Sequence, residues 1–175
     1  TLRMIMDMPI LRHLKPTDAQ RNSKIAFDVG PAPASHAPSV VSKGITSQIT
    51  GARADLIIAD DVESLTNSAT QMMRDKLSEA IKEFDAVLKP DGNILFLGTP
   101  QTESSIYSAL PERGFKTRIW PARYPQAGQL KGFGDYVAPK ILEKLEEDSE
   151  LIGQPTDSKR FDAEDLMERE ASYGR

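Results

Sequence analysis

The stretch Asp55-Leu56-Ile57-Ile58-Ala59-Asp60-Asp61-Val62-Glu63 decides the fold of this chain. The apolar and small residues Leu56 to Ala59 are typical of a buried strand in an α/β sheet, and three carboxylates come at its end. Carboxylates that lie close together repel one another, so such a group usually has a cation or hydrogen-bond donors beside it. The stretch therefore predicts a buried strand that leads into a charged site at the edge of a sheet.

The sequence on either side predicts alternating strands and helices. The clearest helix covers 70–88, because its apolar residues recur at spacings of three and four, and Lys89-Pro90-Asp91-Gly92 is predicted to end it. A second buried strand is predicted at 93–98. The other predicted elements are strands at 24–29, 39–45 and 115–120, and helices at 103–110, 136–152 and 162–173. This order implies right-handed crossovers, and therefore an α/β fold with a mostly parallel sheet flanked by helices and a helical C-terminal segment.

Polar residues follow both of the buried strands. Asp60 stands at the end of the first strand, and Thr99 comes directly after the second. Ligands of parallel sheets bind beyond the carboxyl ends of the strands. If the two strands are neighbours, Asp60 and Thr99 face one site.

The three carboxylates have a catalytic interpretation and a plainer one. Hard cations take oxygen ligands, so Asp60 would hold Mg²⁺, usually through a water molecule, and Asp61 or Glu63 would polarise an attacking water. P-loop ATPases use this arrangement, which is called Walker B. The plainer interpretation is a solvated acidic turn, because short motifs often match by chance.

Three further residues are candidates for the same chemistry. Thr99 and Gln101 carry a hydroxyl and an amide that would contact a γ-phosphate or its water, although Gly98 and Pro100 also make an ordinary turn. Arg53 would stabilise transition-state charge, from its own subunit or from a neighbouring one. The alternative is a surface arginine or a salt bridge to Asp55.

Cations and aromatic residues are mixed between 113 and 124, which suits a phosphate backbone with stacked bases. The alternative places Trp120 in the core and leaves the cations solvated. The net charge is −4, but residues 141–175 hold 11 acidic and 5 basic side chains. A basic surface for nucleic acid is therefore expected within the first 140 residues.

Composition excludes several classes of site. The chain has 175 residues and no cysteine, which excludes disulfides and thiolate zinc sites. No apolar run approaches the length of a membrane span, so no membrane association is expected. His13 and His36 lack partners at metal-ligand spacing. The phosphate-binding sequence GxxxxGK[ST] occurs nowhere, so either the chain is not a P-loop ATPase or its phosphate loop precedes Thr1.

Three stretches of the chain, taken together and in order, resemble a known family. They are 44–63, which contains the opening run, then 95–107, which looks like that family's coupling motif, and 155–174, which is similar to the segment leading out of its ATPase domain. The family is the large terminase subunit of tailed bacteriophages, most closely the podovirus type also called DNA maturase B. The resemblance covers most of residues 24–175.

The resemblance implies an ATP-driven motor that uses Mg²⁺ and moves double-stranded DNA into a procapsid. It implies an ASCE-type P-loop NTPase sheet, here incomplete, with 1–127 as a partial ATPase core and 128–175 as a helical lid or linker towards a nuclease domain. The implied partners are the portal protein, the small terminase subunit and further copies in a homo-oligomeric ring. The implied location is the host cytoplasm, transiently at the portal vertex.

The resemblance also implies a role for each candidate residue. Asp60 is then the metal carboxylate, and Asp61 is the catalytic carboxylate with Glu63 as the alternative. Thr99 couples hydrolysis to motion, and Arg53 is an arginine finger acting in trans. Two alternatives stay open, namely another ASCE ATPase such as a helicase, and a non-catalytic DNA-binding or assembly module. Since no Walker A segment is present, we expect this chain alone to bind ATP poorly or not at all.

Overall fold

The computed structural model describes residues 6–47, 49, 51–102 and 104–173. In chain order the strands are β1 (Ala26–Phe27), β2 (Val40–Val41), β3 (Ala54–Asp60) and β4 (Leu88–Leu97). The α-helices are α1 (Leu65–Ser68), α2 (Gln71–Val87), α3 (Ile106–Ala109), α4 (Ala127–Phe133), α5 (Pro139–Glu147) and α6 (Ala163–Ser172). Short 3₁₀ helices lie at Pro9–Leu14, Pro111–Arg113, Gly134–Tyr136 and Ser149–Leu151.

Packing divides the chain into two compact units, Thr1–Ala109 and Leu110–Arg175. The first unit contains all four strands and the second contains α4, α5 and α6. The predicted division between 127 and 128 rests on motif content rather than packing, and it stays a prediction.

Strands β3 and β4 form a parallel pair, as the sequence predicts. Ile57 lies opposite Ile94 and Ala59 opposite Phe96, and the register continues to the last residues of both strands. The other sheet is an antiparallel pair of β1 and β2, each two residues long. The predicted α/β class is confirmed, with a parallel sheet of two strands in the described part of the chain.

Helix α2 covers one face of the parallel pair. Thr70 caps it by accepting a hydrogen bond from the Met73 amide at 3.3 Å, as is usual for a threonine at this position. Its buried stripe includes Leu77, Ile81 and Phe84, which pack with Ala59 of β3. Burying each large apolar side chain stabilises the fold by about 1.5–3 kcal/mol. This packing fixes the direction of β3 and so the position of the residues that follow it.

The opposite face of the parallel pair carries exposed apolar residues. Leu56 and Ile58 of β3, and Leu95 and Leu97 of β4, are each about half exposed. They alternate with the residues that face α2, as the period of two in a strand requires. Parallel sheets of α/β proteins are normally covered on both faces. Within the described residues, only the α2 side is covered.

The second unit has its own core. Tyr124, Val137, Ala138 and Ile141 are buried together, and partly buried residues from α4, α5 and the segment after them pack around these four. Helix α6 begins at the cap Asp162, whose carboxylate accepts hydrogen bonds from the Glu164 and Asp165 amides, both at 2.9 Å. The predicted helix at 162–173 is confirmed.

Four secondary-structure predictions need correction. The segment 115–120 forms no strand, because its backbone pairing is a single bridge from Ile119 to Val137. The strand predicted at 93–98 begins earlier, at Leu88, because Lys89–Gly92, which end α2 as predicted, belong to β4 and are accommodated by an irregularity in its register. The helix predicted at 103–110 is only Ile106–Ala109, and Glu103 lies outside the described residues. The helix predicted at 136–152 divides into α5 and two 3₁₀ turns.

Candidate functional site

The carboxyl ends of β3 and β4 lie side by side. Asp60 pairs with Leu97, and the Asp61 amide donates to the Leu97 carbonyl at 2.9 Å, one residue beyond the strand. Asp60 and Thr99 therefore follow neighbouring strands, as predicted. Asp61 has a φ of 45°, in the left-handed region that side-chain-bearing residues adopt rarely. The chain turns sharply there and directs the residues after β3 across the sheet edge.

A cavity of about 500 Å³ opens at this edge, within the first unit. Its lining residues are Asp61, Glu63, Ser64, Leu65, Thr66, Thr99 and Gln101. Four of the residues singled out from the sequence thus meet at one site, two from each strand end. Carboxylate, hydroxyl and amide groups in one cavity can position a water molecule and accept or donate its protons.

The two candidate catalytic carboxylates have different environments. Glu63 is only 3% exposed, and its oxygens accept hydrogen bonds from the Gln101 amide at 3.2 Å, the Ser105 hydroxyl at 2.8 Å and the Ile106 amide at 2.8 Å. Asp61 is exposed and lines the cavity. A water molecule in the cavity can therefore reach the carboxylate of Asp61 more readily than that of Glu63.

Tyr107 belongs to the site, although the sequence predicts no role for it beyond its place in the coupling motif. Burial raises the pKa of its phenol, and the nearby Asp61 and Glu63 charges raise it further. A Cβ atom added at Gly98 would lie 2.0 Å from the Tyr107 hydroxyl, so the phenol occupies the space that only glycine leaves empty. Glycine is needed here because another group approaches the backbone closely. In the sequence, the glycine at position 98 is the feature that could have indicated the close approach of Tyr107.

Arg53 and Asp60 do not line this cavity. Arg53 precedes β3 and Asp61 follows it, so at about 3.3 Å per residue the length of the strand separates the two by about 26 Å. Its guanidinium donates to the carbonyls of Ala52 at 2.8 Å and Ala86 at 3.4 Å. The alternative salt bridge to Asp55 is wrong, because Asp55 pairs with Lys89 at 2.9 Å, whereas the exposed Arg53 fits the alternative of a surface arginine. Among the described residues, Arg53 makes no contact with the lining of this cavity, and a contribution to a neighbouring subunit's site stays a prediction.

Asp60 is exposed at the end of β3. Alternation along the strand places it on the same face as Leu56 and Ile58. In the described part of the chain, no group of three or more His, Cys, Asp or Glu side chains is arranged to hold a metal ion. The assignment of Mg²⁺ to Asp60 stays a prediction.

A second cavity, of about 690 Å³, lies within the unit Leu110–Arg175. Its lining residues are Trp120, Tyr124, Lys140, Ile141, Lys144, Thr156, Asp157, Ser158 and Lys159. Trp120 is 57% exposed, so the alternative that placed it in the core is wrong. The lysines at 140 and 144 are one helical turn apart on α5 and lie on the same side of it.

Arg123, which lies among the cations of 113–124 in the sequence, has a structural position instead. Its guanidinium donates to the Glu170 carboxylate at 2.7 Å and to the Gly153 carbonyl at 3.0 Å. These contacts connect the segment after Trp120 with α6. Arg123 therefore contributes to the packing of the second unit.

The described fold and site define a class of protein. It is an α/β protein with a polar cavity at the carboxyl ends of neighbouring parallel strands, where an exposed aspartate faces a threonine and a glutamine. No helix in the described residues is both long enough and apolar enough to cross a bilayer.

Comparison with known proteins is more specific. The chain is 51% identical to the large terminase subunit of Enterobacteria phage T3, over 180 aligned positions and 99% of this chain. The resemblance to large terminase subunits is thereby confirmed. The chain spans 31% of the length of that relative. No family model matches the sequence.

Proposed function

We propose that this chain contributes the hydrolysis side of an ATPase site to a phage DNA-packaging motor. The observation that carries the proposal is the cavity at the ends of β3 and β4, where the exposed Asp61 faces Thr99 and Gln101. The identity to the phage T3 large terminase subunit over nearly the whole chain supports a terminase rather than a helicase.

In this proposal each residue has one task. Asp61 accepts a proton from the attacking water and so polarises it. Thr99 and Gln101 contact the terminal phosphate or that water from the neighbouring strand end. Within the described residues the carboxylate of Asp60 forms no hydrogen bond or ion pair, so its oxygens are open to a hard cation such as Mg²⁺. When bound, Mg²⁺ neutralises phosphate charge.

The broader proposals follow from the relative. The motor would move double-stranded DNA into a procapsid, as a homo-oligomeric ring that contacts the portal protein and the small terminase subunit. It would work in the host cytoplasm, at the portal vertex during packaging. The ASCE P-loop architecture and a helical lid or linker in 128–175 belong to the same proposal.

Asp61→Ala in the intact protein tests the central assignment. We expect ATP turnover to fall by about 10²–10⁴-fold, the usual contribution of a positioned general base, while double-stranded DNA binding survives. Asp55→Ala is the matched control, because Asp55 lies at the other end of the same strand and its side chain is 84% exposed. If Asp61→Ala kept its turnover and Glu63→Ala lost it, the catalytic carboxylate would be Glu63.

Mixed oligomers test Arg53. If Arg53 acts in trans, combining Arg53→Ala subunits with Asp61→Ala subunits restores part of the ATP turnover, because some interfaces then hold an intact Asp61 beside an intact Arg53. Each variant alone is the control. Absence of rescue at every mixing ratio would contradict an action in trans.

A second candidate function, contact with the DNA backbone, is favoured by the cavity of the second unit. The exposed Trp120 lies with Lys140, Lys144 and Lys159, and none of these lysines forms an ion pair within the described residues. Lysines contact phosphates, and an indole packs against sugar or base. The carboxylate of Asp157 lines the same cavity and opposes this binding. Two of the three lysines come after residue 140, so this surface differs from the one expected from the charge balance.

The test is the double variant Lys140→Glu with Lys144→Glu. We expect weaker binding of double-stranded DNA and a salt dependence whose slope is smaller by about 0.9 for each phosphate that the variant no longer neutralises. Lys131→Glu, on α4 and outside the cavity, is the matched control. Equal effects of both variants would indicate a general charge effect rather than this surface.

A further inference from the structure

Glu63 is a buried ionisable group that the proposed hydrolysis does not use. It follows β3, yet the donors to its carboxylate within the described residues belong to the segment after β4. Oε1 accepts from the Gln101 amide at 3.2 Å, and Oε2 accepts from the Ser105 hydroxyl and the Ile106 amide, both at 2.8 Å. The carboxylate therefore connects the ends of two neighbouring strands through three hydrogen bonds.

The environment of Glu63 favours a positioning task over proton transfer. In the described residues no lysine or arginine forms an ion pair with Glu63, so its charge is compensated by these three donors. Ser105 is itself only 3% exposed, and its hydroxyl oxygen accepts from the Tyr107 amide at 3.2 Å. Three of the acceptor positions of the Glu63 carboxylate are already filled and the side chain is buried, so an attacking water reaches it less readily than it reaches the exposed Asp61.

The same contacts determine where the residues of the cavity lie. Gln101 donates its backbone amide to Glu63, and its side-chain amide donates to the Thr99 carbonyl at 3.1 Å. Tyr107, at the other end of the segment, lies against Gly98. Moving the Glu63 carboxylate would therefore move the segment that follows Thr99, which lines the same cavity as Asp61.

We propose that Glu63 is a positioning residue, which ties the segment 101–106 to the end of β3 and transmits changes at Asp61 to that segment. This inference rests on the proposed ATPase function. It assigns to Glu63 the connection between hydrolysis and the movement of the 99–107 segment, and it leaves proton transfer to Asp61.

The test is a double-mutant cycle of Glu63→Gln and Ser105→Ala in the intact protein, with ATP turnover and DNA movement both measured. Glu63→Gln keeps the size of the side chain but replaces one acceptor oxygen by a donor. We expect either change to reduce turnover by about tenfold, and the double variant to lose little more, because the two groups act as one contact. We also expect less DNA moved per ATP hydrolysed, which a change in stability alone would not produce.

Three other results would overturn the inference. If Glu63 is the base, Glu63→Gln abolishes turnover whereas Ser105→Ala leaves it near the wild-type rate. If the effects multiply in the double variant, the two residues act independently. If both variants only lower the melting temperature, with unchanged turnover and unchanged DNA moved per ATP, Glu63 has a purely structural task.

Amide hydrogen exchange separates this inference from the ATPase proposal, because it needs no turnover. In Glu63→Gln we expect the hydrogen-exchange rates of the Gln101 and Ile106 amides to be at least about tenfold higher than in the wild type. The exchange rate of the Leu77 amide in α2 should not change. Unchanged exchange at both amides would contradict the connection even in an active ATPase. If the wild-type protein had no ATPase activity but the variant still exchanged faster at these amides, the proposed function would be contradicted. The connection through Glu63 would then still hold.

Discussion

Replacing Asp61 by glycine is expected to stabilise the protein while removing its activity. The φ of 45° places Asp61 in the left-handed region, which costs an L-residue about 1–2 kcal/mol and aspartate somewhat less. Glycine avoids that cost but loses about 0.5–1 kcal/mol of backbone entropy. The free energy of unfolding should therefore rise by up to about 1 kcal/mol. For a chain of this length, that raises the melting temperature by about 2–4 °C.

Two further substitutions at the same position separate geometry from charge. Asp61→Ala keeps a Cβ atom without a polar group, so it should melt below Asp61→Gly. Asp61→Asn tolerates the left-handed conformation and removes only the charge, so it should melt near the wild type and still lose ATP turnover. The assays are thermal unfolding by circular dichroism and steady-state ATP hydrolysis. A glycine variant that melts below the alanine variant would refute the backbone argument, and an active asparagine variant would refute the need for the charge.

Three more predictions concern the residues around the site. Because the pKa of Tyr107 is raised, the folded state holds the phenolic proton more tightly than the unfolded state does. The contribution of Tyr107 to stability is therefore fully present below its ordinary pKa of 10.0 and is lost as pH rises above it. Tyr107→Phe should remove this fall in urea unfolding measured from about pH 9 to about pH 11, and an unchanged slope would count against the assignment. Gly98→Ala should lower the free energy of unfolding by about 1–3 kcal/mol, because the added Cβ displaces the Tyr107 phenol. Gly128→Ala is the control and should lower it by nothing, since nothing lies within 4 Å of the added Cβ. Equal losses of stability in the two variants would contradict the close contact between Gly98 and Tyr107. Ile81→Ala should cost about 2–5 kcal/mol in urea unfolding, since its side chain is 1% exposed, and a loss below about 1 kcal/mol would show that α2 packs differently.

The sequence predicts the parallel pair and α2 well because the physical signals there are strong. The continuous apolar run at 56–59 predicts a buried strand, and the apolar stripe over 70–88 predicts a helix with one buried face. Packing this helix against the strand buries the apolar residues of both. The adjacency of Asp60 and Thr99 then follows from the geometry of parallel strands. No knowledge of side-chain contacts is needed for this part of the site.

The nearby sequence does not predict which of the two carboxylates is exposed and which is buried. Asp61 and Glu63 are two residues apart, yet one is exposed and the other is buried by Ser105 and Ile106, more than 40 positions later. Nothing in the run itself distinguishes them. Apolar and polar residues likewise alternate around Trp120, as in a strand. The segment 115–120 nevertheless pairs through a single bridge, and the indole is exposed. Such features depend on contacts between distant segments.

The most direct test of the account is a crystal structure of the intact protein with Mg²⁺ and the transition-state analogue ADP–aluminium fluoride. We expect the analogue's fluoride group to lie in the cavity at the ends of β3 and β4, with the attacking water bound to Asp61 and with Thr99 in contact with the fluoride group. Glu63 should keep its three hydrogen bonds to the segment 101–106. An analogue bound elsewhere, or a water held by Glu63 instead of Asp61, would contradict the central claim.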